Sequence, residues 1–195
     1  MLLGKTDNDD NTVIVPFNVL TPNLEVSAAQ VTDGDGNPVT SVAADETVTL
    51  SWTVFHSSTT ATAGADWWDR VYISQDTTLD SSDIRLVNYL INSHTPLVAG
   101  NNYTVTSNPI IPEIPTGDYF FLFKADGSEN QQEADETDNI TAIPIQIDAP
   151  NLEVSAAQVT DANGNPVTSV AVDETVTLSW TVFNSSTTAT AGADW

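Results

Sequence analysis

Short segments in which apolar and polar residues alternate run along most of the chain, and they predict an all-β protein. The clearest lies between residues 46 and 56, where Val48, Leu50, Trp52 and Val54 alternate with Thr and Ser. A period of two places one face of a strand in a core and the other in water. The pattern of an amphipathic helix is absent from the sequence.

Clusters of Gly, Pro, Asn and Asp separate these segments, as expected for strands joined by turns. The predicted strands are residues 23–30, 46–56, 68–74, 84–91, 103–107, 119–125 and 140–147. Seven short strands with regular turns predict an immunoglobulin-like antiparallel β-sandwich. Tyr119, which follows Pro115 and begins the sixth strand, fits either a tyrosine corner or an ordinary core aromatic.

An internal repeat predicts the domain organisation. Residues 22–67 recur 128 positions later as residues 150–195, and four of the 46 positions differ: Gly34 becomes Ala162, Asp35 becomes Asn163, Ala44 becomes Val172 and His56 becomes Asn184. The same offset places residues 7–16 over 135–144. We therefore expect the terminal strand of a preceding repeat in residues 1–21, one complete domain in 22–149, and the opening strands of a following repeat in 150–195.

The two flanking pieces are too small to fold alone, because a two-stranded element is marginal in water. Two explanations stay open: other copies complete the ends, as in a fibre or a swapped assembly, or the chain is an excerpt of a longer one. The junctions Thr21–Pro22 and Ala149–Pro150 have no Gly or Ser spacer. Short junctions of this kind predict stiffly connected units, as in a stalk.

The charge balance narrows the possible partners. The chain has 27 Asp and Glu against four Lys and Arg, a net charge of -23, and no Cys. Nucleic acid and anionic membranes are excluded as partners, because both require clustered basic residues. No apolar run resembles a transmembrane span or an export signal, so we expect any such signal elsewhere in a longer protein. Strong acidity suits a saline or calcium-containing extracellular or cell-surface setting.

The residues offer little support for catalysis, and we predict that the protein is not an enzyme. His56 and His94 are the only histidines, and the repeat replaces His56 by Asn184. We interpret His56 as a solvent-facing strand or rim residue. The alternative function is a carbohydrate- or protein-binding module appended to a secreted enzyme, for which Trp67 and Trp68 are the candidate aromatic platform.

Three acidic loops are candidates for calcium, which takes six to eight oxygen ligands on a bent backbone. They are a first loop with Asp33, Asp35 and Asn37, a second with Asp76, Asp80 and Asp83, and a third with Asp126, Asp135 and Asp138. The first also has the residues of an ordinary tight turn. In the other two, either a cation binds or the like charges splay into solvent. Calcium is thus the one cofactor that the sequence suggests.

Three blocks of residues resemble the CARDB family, the cell-adhesion-related domain found in bacteria. They are Pro22-Asn-Leu-Glu-Val26, Asp69-Arg-Val-Tyr-Ile-Ser-Gln-Asp-Thr-Thr-Leu-Asp80, and Pro115-Thr-Gly-Asp-Tyr119 with Glu133-Ala-Asp-Glu-Thr-Asp-Asn139. The resemblance implies an immunoglobulin-like module, arrayed in secreted bacterial or archaeal surface proteins, with an adhesive or scaffolding role and no catalytic residues. The resulting hypothesis is a non-enzymatic stalk or filament module whose partners are neighbouring repeats or other copies of itself.

Overall fold

The computed structural model describes residues 13–190 and shows strands, turns and no helix within that range. In chain order the strands are β1 Leu24–Thr32, β2 Ser41–Ala43, β3 Thr49–His56, β4 Thr62–Ala63, β5 Trp67–Ser74, β6 Ile84–Ile91, β7 Leu97–Val98, β8 Asn102–Ser107, β9 Gly117–Lys124, β10 Ile140–Asp148, β11 Leu152–Thr160 and β12 Thr177–Asn184. The expectations for residues 1–12 and for Trp195 lie outside the described residues.

Ten of these strands build the predicted immunoglobulin-like sandwich. One sheet has the order β1-β3-β8 and the other the order β2-β10-β9-β5-β6, while β4 and β7 form a separate two-stranded ribbon. All the pairings are antiparallel except that of β2 with β10, which is parallel. The chain therefore begins in the first sheet with β1 and crosses to the edge of the second with β2.

All seven predicted strands are confirmed, as β1, β3, β5, β6, β8, β9 and β10. The strands β2, β4 and β7 were not predicted because two or three residues are too few to show a period. The tyrosine corner is also confirmed, since the Tyr119 hydroxyl donates to the carbonyl of Pro115 at 3.0 Å. This bond ties the start of β9 to the turn before it.

The core lies between the two sheets and follows the predicted alternation. In β3 the side chains of Leu50, Trp52, Val54 and His56 are all buried. The Trp52 ring lies 5.9 Å from that of Phe123 on the opposite sheet. Our interpretation of His56 as solvent-facing was wrong: its side chain is fully buried because it continues the inward face of β3.

The second copy of the repeated segment forms the hairpin β11–β12 with the same register as β1–β3, including the same irregularity, between Val26 and Ala28 and between Val154 and Ala156. Its apolar face is open. The exposed large side chains include Leu152, Val154, Val159, Leu178, Trp180, Val182 and Phe183. Residues 13–20, which form no strand, also expose a set of apolar side chains: Val13, Ile14, Val15, Phe17, Val19 and Leu20. Within residues 13–190, no helix has the length and hydropathy needed to cross a membrane.

Candidate functional site

A buried carboxylate, Asp69 of β5, joins the two sheets. Its oxygens accept hydrogen bonds from the indoles of Trp52 (2.8 Å) and Trp67 (3.1 Å) and from the hydroxyl of Tyr103 (2.8 Å). The backbone N–H of Asp126 also donates to it, at 3.3 Å. Trp52 and Tyr103 belong to the first sheet and Asp69 to the second. In a chain without Cys, this polar network supplies a directed link across the core.

The environment of Asp69 suits a structural role. Burial raises the pKa of its carboxyl to about 6, and the four donors oppose that rise. Burial, followed by the nearby charge of Asp69, raises the pKa of Tyr103 above its ordinary value. The Asp69 side chain is fully buried. It therefore has partners for both oxygens and no contact with solvent through which a substrate or an ion would reach it.

The first acidic loop folds as a tight turn around the carboxylate of Asp33. Its Oδ1 accepts from the backbone N–H groups of Asp35 (3.0 Å) and Asn37 (2.8 Å), and its Oδ2 accepts from the Asn37 amide at 3.1 Å. These bonds, led by that of the Asn37 side chain, lower the pKa of Asp33. Gly36 has a φ of +85°, which favours glycine. The Asp33 oxygens thus already have donors from the turn.

The second loop, between β5 and β6, uses its carboxylates in the same local way. Asp76 accepts from the N–H of Thr78, Asp80 from both the N–H and the hydroxyl of Ser82, and Asp83 from the N–H of Asp80. The Ser82 bonds lower the pKa of Asp80. Each carboxylate closes its own turn at the surface.

The third loop separates its three predicted ligands. Asp126 is fully buried and accepts from the N–H groups of Asn130 (2.9 Å) and Gln131 (2.6 Å). Asp135 is exposed and accepts from the N–H and hydroxyl of Thr137, the hydroxyl being the main cause that lowers its pKa. Asp138 accepts from the Asn23 amide at 2.9 Å. Of the residues described, no three carboxylate or imidazole groups converge as ligands of one metal ion.

A different set of residues in this loop does come together, and we call Glu133, Glu136 and Asn139 the loop-three cluster. The Asn139 amide nitrogen lies 3.0 Å from Oε1 of Glu133 and 3.2 Å from Oε2 of Glu136. Burial raises the pKa of Glu133 to about 7. Two buried oxygens, Oδ1 of Asp138 and Oδ1 of Asn139, have no hydrogen-bond partner.

Sequence reasoning missed Glu133 and Asn139 as site residues, although both lie in the acidic stretch that it named. No pattern in the sequence could show that these two residues meet, because they come together only in the tertiary structure. Asn139 is the residue before β10, and its carbonyl accepts from the N–H of Ala125 after β9, so its side chain is held at the end of the sandwich. Glu133 is fixed there because the N–H of Leu24, the first residue of β1, donates to its carboxylate.

The alternative aromatic platform loses Trp67, one of its two candidate residues. Trp67 is fully buried, and its indole donates to Asp69 and to the Tyr103 hydroxyl. Trp68 is half-buried on the other face of β5. A tryptophan with its ring in the core offers no face on which a sugar could stack, so Trp67 cannot be part of such a platform.

Several solved structures are similar to the chain in fold. A crystal structure of the CARDB domain of a Pyrococcus furiosus protein, in complex with di-metal ions, is 14% identical, with 67% of this chain and 97% of that chain covered and a TM-score of 0.46. A solution NMR structure of the same domain is 15% identical, with 66% and 97% covered and a TM-score of 0.46. A β-glucosidase from Listeria innocua is 13% identical, with 65% of this chain but only 16% of the enzyme covered and a TM-score of 0.39.

At the level of sequence, no protein-family model and no curated protein matches the chain. The CARDB domain, which the sequence motifs resemble, is thus also found among the solved structures of similar fold. The class that the fold itself defines is an all-β, immunoglobulin-like sandwich with one additional hairpin.

Proposed function

We propose that this protein is a non-enzymatic structural or adhesive module of an extracellular or cell-surface protein, in which near-identical acidic sandwiches follow one another as a stiff stalk or filament. One observation carries the proposal. The hairpin β11–β12 has the same register as β1–β3 and the same residues except for Asn184 in place of His56, yet it exposes the apolar face that β1–β3 buries. Residues 22–149 are then one complete unit, and residues 150–195 open the next.

The exposed apolar face of the hairpin β11–β12 is large enough for a second sheet packed on it to add substantial stability. Full burial of one large apolar side chain stabilises a fold by about 1.5–3 kcal/mol. Leu152, Val154, Leu178, Trp180 and Val182 are each at least 40% exposed. Together they represent several kcal/mol that a covering sheet would recover, and contiguous apolar patches of this kind mark interaction surfaces.

The segment before β1 supports the same organisation from the other side. By the repeat offset, Phe17 and Val19 occupy the positions of Ile145 and Ile147 in β10. Both isoleucines are buried, whereas Phe17 and Val19 are 82% and 74% exposed. In our proposal, residues 1–21 are therefore the terminal strand of a preceding unit.

Stiffness follows in the proposal from the junction between units. Only Ala149, Pro150 and Asn151 separate β10 from β11, and the Ala149 N–H is bound to the Thr116 hydroxyl at 2.8 Å. Proline restricts both itself and the residue before it. The net charge of -23 keeps neighbouring units apart and suits a medium rich in cations, with calcium as the stabilising ion.

The direct test is to complete the second unit by extending the chain after Trp195 with a copy of residues 68–149. We expect Trp180 to become buried, the fluorescence of the dye ANS to fall, and two sandwiches of similar stability to unfold. The matched control is the same extension with Trp180→Glu, which would leave the second unit unfolded. An extended chain in which Trp180 stays as accessible as before would refute the proposed repeat organisation.

The assembly needs a separate measurement, since neighbouring repeats or other copies of the chain could cover the open face. If other copies do so, the unextended chain will associate as its concentration rises in analytical ultracentrifugation. Trp180→Glu should then abolish association, whereas Thr181→Glu, on the other face of β12, should retain it. Association that both variants retain would place the contact elsewhere. Electron microscopy of the native material would distinguish a string of beads from a polymer of chains.

A further inference from the structure

The two copies of the repeated segment differ in the turn that follows their first strand. The first copy has Asp35 followed by Gly36, and the second has Asn163 followed by Gly164, which is the only Asn-Gly pair in the sequence. Aspartate differs from asparagine by an OH in place of the side-chain NH₂. The residue in the first copy is therefore the hydrolysis product of the residue in the second.

An asparagine that precedes a glycine can undergo this hydrolysis without an enzyme. The backbone nitrogen of Gly164 loses its proton to base and attacks Cγ of Asn163, the bond from Cγ to Nδ2 breaks, and Nδ2 leaves as ammonia with a proton taken from water. Water then opens the resulting succinimide ring at either carbonyl, which yields aspartate or isoaspartate with no change of oxidation state. Glycine favours the reaction because it has no Cβ to hinder the approach of its nitrogen.

The surroundings of Asn163 leave its side chain free to react. The residue is exposed, and its backbone N–H donates to Oδ1 of Asp161 at 2.9 Å. Its side-chain amide has no hydrogen-bond partner among residues 13–190. The space beside Gly164 is also open, because a Cβ added there would meet no atom within 4 Å. Water and base therefore have access to both reacting groups.

One hydrogen bond restrains the reaction. The N–H of Gly164 donates to the carbonyl of Asp161 at 3.0 Å, so the attacking nitrogen is engaged while the turn is closed. The turn joins β11 to the rest of a two-stranded hairpin whose apolar face is exposed. Such an element is marginal in water, and its hydrogen bonds open at a small cost in free energy. Opening of the turn thus sets how fast the nitrogen is released.

We propose that Asn163 is a site of spontaneous deamidation, through which the turn after β11 gains a negative charge with time. The aspartate product gives the second copy the same residue as Asp35 in the first. The isoaspartate product routes the main chain through Cγ of the side chain, which lengthens the turn by one backbone atom. The inference does not rest on the proposed repeat organisation.

The neighbouring Asn165 provides an internal control. It is exposed in the same turn, but Pro166 follows it. A proline has no backbone N–H, so its nitrogen cannot attack the asparagine side chain. Asn165 should therefore keep its amide under every condition in which Asn163 loses it.

The test is incubation of the full chain at neutral and at mildly alkaline pH, followed by cleavage after glutamate and mass spectrometry of the peptide that ends at Glu174. We expect the mass gain of an NH₂ to OH exchange at Asn163, faster at the higher pH, with aspartate and isoaspartate forms that separate on chromatography. Asn163→Gln should lose this mass gain. An unchanged Asn163 in the full chain, or an equal gain at Asn165, would overturn the site.

A second measurement tests the control by the turn. The same reaction is followed in a synthetic peptide of residues 154–174, which lacks β12, and in the full chain unfolded in urea. We expect the folded chain to react more slowly than either, because its Gly164 N–H is bonded to Asp161. A folded chain that reacts as fast as the peptide would show that the hydrogen bond does not restrain the reaction.

Discussion

The segments 22–67 and 150–190 carry nearly the same residues, but they stand in different surroundings. Trp52 is 1% exposed in the first and its counterpart Trp180 is 64% exposed in the second; Leu50 and Leu178 are 0% and 61% exposed. The difference lies in what faces them: β1–β3 lies over the second sheet, while within residues 13–190 the strands β11 and β12 pair only with each other. The comparison teaches that alternating apolar and polar residues specify which face of a hairpin can be buried. Whether that face is buried depends on a second sheet, which the hairpin itself does not supply.

The largest expected effect comes from removing the same side chain in each segment. Trp52→Ala should lower the free energy of unfolding of the sandwich by about 3–5 kcal/mol, because it leaves a cavity beside Phe123. The mutation also removes one donor from Asp69. Trp180→Ala should change this free energy by less than about 0.5 kcal/mol. Urea unfolding of both variants measures the contrast, and equal losses would show that the hairpin is packed in solution.

The next largest effect is that the free energy of unfolding of the sandwich should depend on pH, whereas the hairpin β11–β12 should not contribute to this dependence. Burial raises the pKa of Asp69 from 3.8 to about 6 and that of Glu133 from 4.5 to about 7. A carboxyl group whose pKa is higher in the folded than in the unfolded protein stabilises the fold fully at pH values below its unfolded-state pKa. This stability is lost as the pH rises through its folded-state pKa. At about 1.4 kcal/mol per pKa unit, Asp69 alone makes the protein roughly 2 kcal/mol more stable near pH 4 than at pH 7.5.

Urea unfolding at intervals from pH 4 to 8 measures how the free energy of unfolding changes with pH. Trp180→Ala serves as the control and should keep the whole pH dependence, since it leaves Asp69 and Glu133 untouched. Glu133→Gln should lose the part between pH 4.5 and 7. A protein that became more stable as pH rose over this range would contradict the assigned pKa shifts.

The smallest effect concerns a turn that both segments share. Asp45 and Asp173 have φ values of 63° and 68°, in the left-handed region. Asp45→Ala should destabilise the sandwich by about 1 kcal/mol, because an alanine is strained there, whereas Asp45→Gly should not. Asp173→Ala should leave the unfolding of the sandwich unchanged. Thermal melts of the three variants measure these differences in the stability of the sandwich. A lower melting temperature of the sandwich in Asp173→Ala would mean that the stabilities of the two segments are coupled.

Most of the fold was predictable because its strands are long enough to show their period. The three short strands were not, and β2 shows why. Residues 169–171 repeat the sequence of β2, Ser41–Ala43, but form no strand. In the sandwich β2 pairs with β10, whereas no strand of the described part of the chain takes the place of β10 beside the hairpin. A strand of three residues depends on its neighbour more than on its own composition.

The candidate site was predictable only as a stretch of acidic residues. Asp126, Asp135 and Asp138 look equivalent in the sequence, but the structure buries the first, exposes the second and sets the third against Asn23. Which carboxylates meet depends on how the loop crosses the end of the sandwich. Glu133 is held there by Leu24, which lies 109 positions away in the chain.

The sequence by itself determined the features that are identical in both copies. The turn at Asp33 and the turn at Asp161 have the same bonds, with Asn37 and Asn165 donating to Oδ1 at 2.8 and 2.9 Å, and both hairpins have the same register. These interactions span a few residues or one hairpin. Only the tertiary structure decided the burial of Trp52, the network around Asp69 and the meeting of Glu133 with Asn139, because each requires groups that distant strands bring together.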